Sequence, residues 1–226
     1  MRYRVIDRGA PLNAGVLLAM KNAGVQGVMR YLAPPEAIYD WKRITPEERD
    51  LIHSAGLDLY LVFQAGNNGV DSFNYGTGLQ HGTLARDMVG DLGAPPSLPI
   101  YFPVDFGASD DQMRETIVHY FNGVYDGLAL RNPMGIYGGY WVCRYAQRHW
   151  AGVRFYWQTV AWSPRVDGAP IELGGTHGFQ HDTPSFAGSD LIDLFGHPVD
   201  LNHFYHRGWG TQTSVGHEHH AEVILR

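Results

Sequence analysis

The chain has 226 residues, with 17 Lys and Arg against 23 Asp and Glu, for a net charge of −6. That length suits a single α/β barrel with a sizeable core. The acidic balance, without any basic run, argues against a nucleic-acid surface or a polybasic membrane contact, and no apolar run approaches the roughly 20 residues of a membrane span.

Short apolar strands recur at intervals that leave room for a helix between each, the pattern of repeated βα units. The first strand is Tyr3 to Asp7; because the chain opens on it, no signal segment is visible, and the expectation is a soluble protein made in the cytoplasm. Any export would need another route. A helix over Leu12 to Ala23 carries Leu12, Val16, Leu17 and Met20 at helical spacing and stops at Gly24. The second strand is Gly27 to Leu32. Thr45-Pro46-Glu47-Glu48 then opens a helix with a cap, an N1 proline and a Glu at N3, running to about Ala55. Asp58 to Gln64 is the third strand, followed by a helix around His81 to Leu92. The fourth, Ile100 to Asp105, is an apolar run of the kind a parallel sheet covers on both faces, and it ends on a carboxylate. A helix from about Gln112 to Leu128 leads to strand five, Met134 to Tyr137. The helix Tyr140 to His149 holds the one cysteine, Cys143, which reads as a packed thiol. Strands six, seven and eight are placed at Arg154 to Ala161, His177 to His181 and Val199 to His203. The expected fold is therefore a single (β/α)8 TIM-type barrel over residues 1–207, with 208–226 a polar, His-rich tail.

In such a barrel chemistry sits at the C-terminal ends of the strands. Asp7, Arg30, Gln64, Asp105, Tyr137, Gln158, Gln180, Asp182, Asp200 and Asn202 lie at or near these ends, polar where the strands are apolar. Each buried polar group costs roughly 1–3 kcal/mol unless it is paired, so the convergence points to a site. Phe106, Trp157 and Trp162 stand among several nearby aromatics. Carboxylates, amides and aromatic faces together suit a carbohydrate.

Several motifs in order, Val5-Ile6-Asp7, Gly27 to Leu32, Ile44 to Glu48, Ile100 to Phe106, Gly135 to Gly139, Trp157-Gln158-Thr159 and Val199 to Asn202, resemble the glycoside-hydrolase-like barrels known as domain of unknown function 1906. That family is common in actinobacteria and their phages and is related to the family 25 lysozymes. The resemblance implies a barrel acting on cell-wall glycan, with peptidoglycan as the substrate class and a phage virion or cell envelope as the setting. It puts Asp7, Asp105 and Asp200 at the lysozymes' first-, fourth- and last-strand aspartates, as the candidate catalytic residues.

It also exposes a departure, because the lysozymes carry their general acid two positions after the fourth-strand Asp, where this chain has Gly107. Asp105 could act as the acid if burial raises its pKa, and Glu172 is the one candidate from elsewhere to replace the missing group. The alternative is a barrel that binds glycan without cutting it. Arg30, Gln64, Phe106, Tyr137, Trp157, Gln158, Gln180, Asp182 and Asn202 are the expected substrate-binding residues. No metal or cofactor is called for, since His217-Glu218-His219-His220 lacks a metalloprotease spacing and lies in the tail.

Overall fold

Residues of one parity in each strand point into a barrel and those of the other parity point out, and the two sets form separate apolar clusters. Val5, Met29, Tyr60, Val62, Tyr101, Trp157 and Phe204 fill the interior. Ile6, Val28, Leu61, Phe102 and Ile136 pack outward against the helices. The structure is a computed structural model and describes residues 1–35, 37–66, 68–181 and 199–210.

Eight strands close the barrel in the order β1-β10-β9-β6-β5-β4-β3-β2. In chain order β1 is Tyr3–Asp7, β2 Gly27–Leu32, β3 Asp58–Phe63, β4 Ile100–Pro103, β5 Met134–Gly138 and β6 Val153–Thr159. A small hairpin, β7 Arg165–Val166 and β8 Ala169–Pro170, precedes β9 Gly178–Gln180 and β10 Asp200–Phe204. All eight expected barrel strands are present. Interior rings lie across glycines: a Cβ on Gly27 would come within 2.6 Å of the Tyr60 ring, and one on Gly178 within 2.5 Å of Phe204.

Helices α1 (Ala14–Asn22), α2 (Pro46–Ser54), α3 (Tyr75–Asp91) and α6 (Tyr140–His149) follow β1, β2, β3 and β5. After β4 the chain is helical from Asp110 to Leu128, as α4 (Asp110–Gln112), a π-helical turn over Met113–Ile117 and α5 (Val118–Leu128). The α3 helix begins well before the expected His81 because the Asn74 side chain accepts from Thr77 N at 2.9 Å and caps it. Gly78 and Gly82 of α3 meet Gly123 and Gly127 of α5 so closely that a Cβ on Gly78 would lie 2.0 Å from Tyr120 O.

Two features depart from a regular (β/α)8 repeat. Between β6 and β9 the connection is the β7–β8 hairpin, not a helix, because Pro164, Asp167-Gly168 and Pro170 supply turns where a helix would need a periodic apolar face. The last strand also runs the other way: β10 is antiparallel to both β1 and β9. This reversal puts Asp200 opposite Asp7 in the β1–β10 register, at the mouth, where a parallel β10 would have carried it to the far end.

Asp182 and residues 211–226, with the His217–His220 cluster, lie outside the described residues. Gly208 to Gly210, placed in the tail by sequence, lie against the barrel, with Trp209 and Leu59 exchanging backbone hydrogen bonds at 2.8 Å each. Among the described residues no helix is long and apolar enough to cross a membrane. Cys143 is buried and its thiol donates to Gly138 O at 3.6 Å.

Candidate active site

Asp7 ends β1 with its side chain turned into the barrel mouth, and Tyr31, the last inward residue of β2, stands next to it. A cleft of about 250 Å³ opens between them, lined also by Gly9, Ala10, Trp41, Lys42, Val199 and Asp200. Asp7 is only 5 % exposed, and its Oδ1 is buried without a hydrogen-bond partner among the described residues. Burial first, then the facing charge of Asp200, raises its pKa to about 7, against the smaller opposing effects of a Tyr31 hydrogen bond, Lys42 and Arg30. A carboxyl that would ordinarily be ionised is thus held near half-protonation at neutral pH.

Lys42 is the residue that sequence reasoning missed. It comes from a single 3₁₀ turn after β2, Asp40–Lys42, and its Nζ lies 4.6 Å from the Tyr31 ring centre, 4.8 Å from Tyr39 and 5.5 Å from Trp41. Gln64 accepts from that Nζ at 2.8 Å. Burial lowers the Lys42 pKa, while Asp7, Asp105 and Asp200 together favour its charge. Its sequence signal was the aromatic company of Tyr39 and Trp41, since a lysine under rings at a strand end is a poor fit to a solvated loop.

Asp105 lies just past β4, its pKa raised by burial and pulled back by Lys42. Asp200 is raised by burial and then by Asp105, and eased by a Gln180 hydrogen bond and by Lys42. The three aspartates therefore share one electrostatic cluster around one lysine. Tyr137 donates to Gln180 Oε1 at 2.6 Å at the edge of the same cluster. Trp157 and Asn202 form its floor, with Trp157 Nε1 donating to Asn202 Oδ1 at 2.8 Å and the indole 4.4 Å from the Tyr137 ring.

Three expected substrate contacts point elsewhere. Arg30 has outward parity and is fully buried between barrel and helices, where its Nε donates to Glu48 Oε1 at 2.7 Å and its other nitrogens bond the carbonyls of Arg8, Gly9 and Lys42. Glu48, the expected N3 glutamate, is consequently turned to accept from Leu12 N at 2.8 Å, and the Thr45 side chain caps α2. Gln158 also points outward and holds the following loop through Ser163, Ile171 and Leu173. Phe106 packs edge-on to Phe73 in the outer layer, with ring centres 5.8 Å apart.

Glu172 does not reach the cleft. It accepts from Tyr205 Oη at 2.6 Å and lies 3.3 Å from His203 Nε2, on the outer side of β10. Gly107, where the resemblance puts the lysozymes' acid, has no side chain, and the Trp162 indole lies against it, since a Cβ there would lie 3.0 Å from Trp162 Cδ1. Among the described residues no three His, Cys, Asp or Glu side chains group as metal ligands.

The sequence profile of the Rv2525c-like, glycoside hydrolase-like domain matches residues 18–183, well over half of the chain. The chain belongs to this family. "Putative peptidoglycan hydrolase Rv2525c" of Mycobacterium tuberculosis is 27 % identical over 160 residues, 67 % of this chain and 65 % of that protein. "Uncharacterized protein FadG" of Bacillus subtilis is 27 % identical over 129 residues, 55 % of this chain and 22 % of FadG, so the chain spans under two thirds of either relative. The crystal structure of Rv2525c, a Tat-secreted protein, superposes with a TM-score of 0.69 at 20 % identity over 92 % of this chain and 98 % of that one. The modular autolysin LytC of Streptococcus pneumoniae superposes at a TM-score of 0.54 and 14 % identity, over 90 % of this chain and 47 % of LytC. These superpositions establish the shared barrel fold.

Proposed function

We propose that this glycoside hydrolase-like domain hydrolyses a glycosidic bond in bacterial cell-wall glycan, with peptidoglycan as the substrate class. The observation that carries the reading is the buried Oδ1 of Asp7, without a hydrogen-bond partner among the described residues, in a cleft shared with Asp200, Tyr31, Trp41 and Lys42. Glycoside cleavage needs a proton donor at the leaving oxygen and a second carboxylate at the anomeric carbon or its attacking water. Asp7, held near half-protonation at neutral pH by burial and by Asp200, supplies the proton in its protonated fraction. Asp200 and Asp105, whose pKa values are raised by burial and partly drawn back by Lys42, supply the second carboxylate, which in its ionised form opposes the positive charge that develops on the sugar. The acid role expected of Asp105 is thereby better supported at Asp7. Two similar proteins support the same reading: one carries the name "Putative peptidoglycan hydrolase Rv2525c", and the structure of LytC has been determined in complex with a synthetic peptidoglycan ligand.

Purified peptidoglycan incubated with the protein gains reducing ends on this reading, and Asp7→Asn or Asp105→Asn lowers the rate at least about a hundredfold. No release by the wild type between pH 5 and 8 would contradict it. A second reading, glycan binding without cleavage, is favoured by Gly107 and the indole packed over it. It predicts sedimentation with cell walls that survives Asp105→Asn and no turnover by either form.

A further inference from the structure

Trp162 follows β6 with a φ of 54°, in the left-handed region that bulky side chains enter only under constraint. The constraint is supplied by its neighbour. Ser163 Oγ donates to Thr159 O at 2.6 Å and accepts from Tyr140 N at 2.9 Å and from Gln158 Nε2 at 3.2 Å, so the turn is tied to β6 and to the start of α6. Two glycines make the room: besides Gly107, a Cβ on Gly139 would lie 2.8 Å from Trp162 O and 3.0 Å from its Cβ. Yet the residue so tightly positioned remains 44 % exposed. A strained backbone that only kept an indole in water would gain little from packing, and such strain gathers where a ligand is gripped.

Trp162 stands beside the Asp105 loop, and Trp41, 59 % exposed, lines the cleft on the Asp7 and Asp200 side. In the strand order, β6 and the β1–β2 pair lie across the barrel from each other. We propose that Trp162 is a stacking platform for one pyranose ring of an N-acetylated glucosamine polymer, holding the chain across the carboxylates with Trp41 as the platform on the far side. The proposal rests on the glycan reading above and adds the residue that grips the chain. A platform filling the place of the absent acid also accounts for glycine at 107.

The test compares Trp162→Gly, which suits the positive φ, with Trp162→Phe, which keeps a ring. A soluble β-1,4-linked N-acetylglucosamine tetramer is titrated by calorimetry, and reducing ends are counted on peptidoglycan. The glycine variant is expected to keep or raise the wild-type melting temperature and to bind the tetramer about tenfold more weakly, with Phe within about threefold of wild type. Unchanged tetramer affinity in Trp162→Gly, no tetramer binding by the wild type, or a melting temperature that falls in Trp162→Gly would each overturn the platform. The turnover series separates this inference from the hydrolase reading. A wild type that binds without cutting removes the hydrolase and leaves the platform, whereas cutting with an unchanged KM in Trp162→Gly does the reverse.

Discussion

Two buried polar clusters sit back to back on β1 and β2, and they differ in one respect that separates architecture from chemistry. On the outer side Arg30 is paired with Glu48, and its remaining nitrogens bond three backbone carbonyls. On the inner side Asp7 faces another carboxylate and leaves Oδ1 without a hydrogen-bond partner among the described residues. The first cluster is satisfied and anchors the β1–α1 loop and the Lys42 backbone against α2. The second is held short of satisfaction by that same frame, which is the condition in which a proton is kept at neutral pH and a ligand can supply the missing bond.

The largest expected effect breaks the satisfied side. Glu48→Ala strands the buried Arg30 charge and is expected to lower stability by about 3–5 kcal/mol, read from urea midpoints. On the unsatisfied side the sign reverses. Because Asp7 has a folded pKa of about 7 against an ordinary 3.8, its contribution to stability is full below about pH 4 and is lost as pH rises through 7. Asp7→Asn is therefore expected to raise stability at pH 8 by roughly 1–4 kcal/mol while abolishing turnover. A destabilised Asp7→Asn would show that the two clusters are alike.

Smaller effects sharpen the contrast. Lys42→Gln removes the charge that lowers Asp7, Asp105 and Asp200 alike. The acidic limb of the pH–activity profile should move up by roughly one pH unit. Gln64→Ala frees Lys42 from the side-chain acceptor that holds its Nζ, and the same limb should move up by a few tenths of a unit. Equal shifts in the two variants would mean that Lys42 acts through its position and not its charge.

The strands were legible, and with them the positions of Asp7 and Asp105, because apolar runs ending on carboxylates are local signals, whereas Asp200 begins its strand and entered through the resemblance. Facing was not. Arg30 and Tyr31 are neighbours in one strand, and only the barrel closure decides that the tyrosine enters the mouth while the arginine leaves it. Gly27, which makes room for the Tyr60 ring on the inner face, shares the parity of Tyr31 and was the one local cue. The direction of β10 was equally hidden, since alternation reads the same forwards and backwards, and Asp200 reaches the mouth only through that reversal. Lys42 escaped because its partners come from β1, β4 and β10, far apart in the chain.

The most direct measurement is the titration of the Asp7 carboxyl by carbon-detected NMR, in the wild type and in Asp200→Asn. The account predicts a wild-type midpoint near 7 that falls when the facing charge is removed. A midpoint in the ordinary carboxylate range near 4 in both proteins would contradict it.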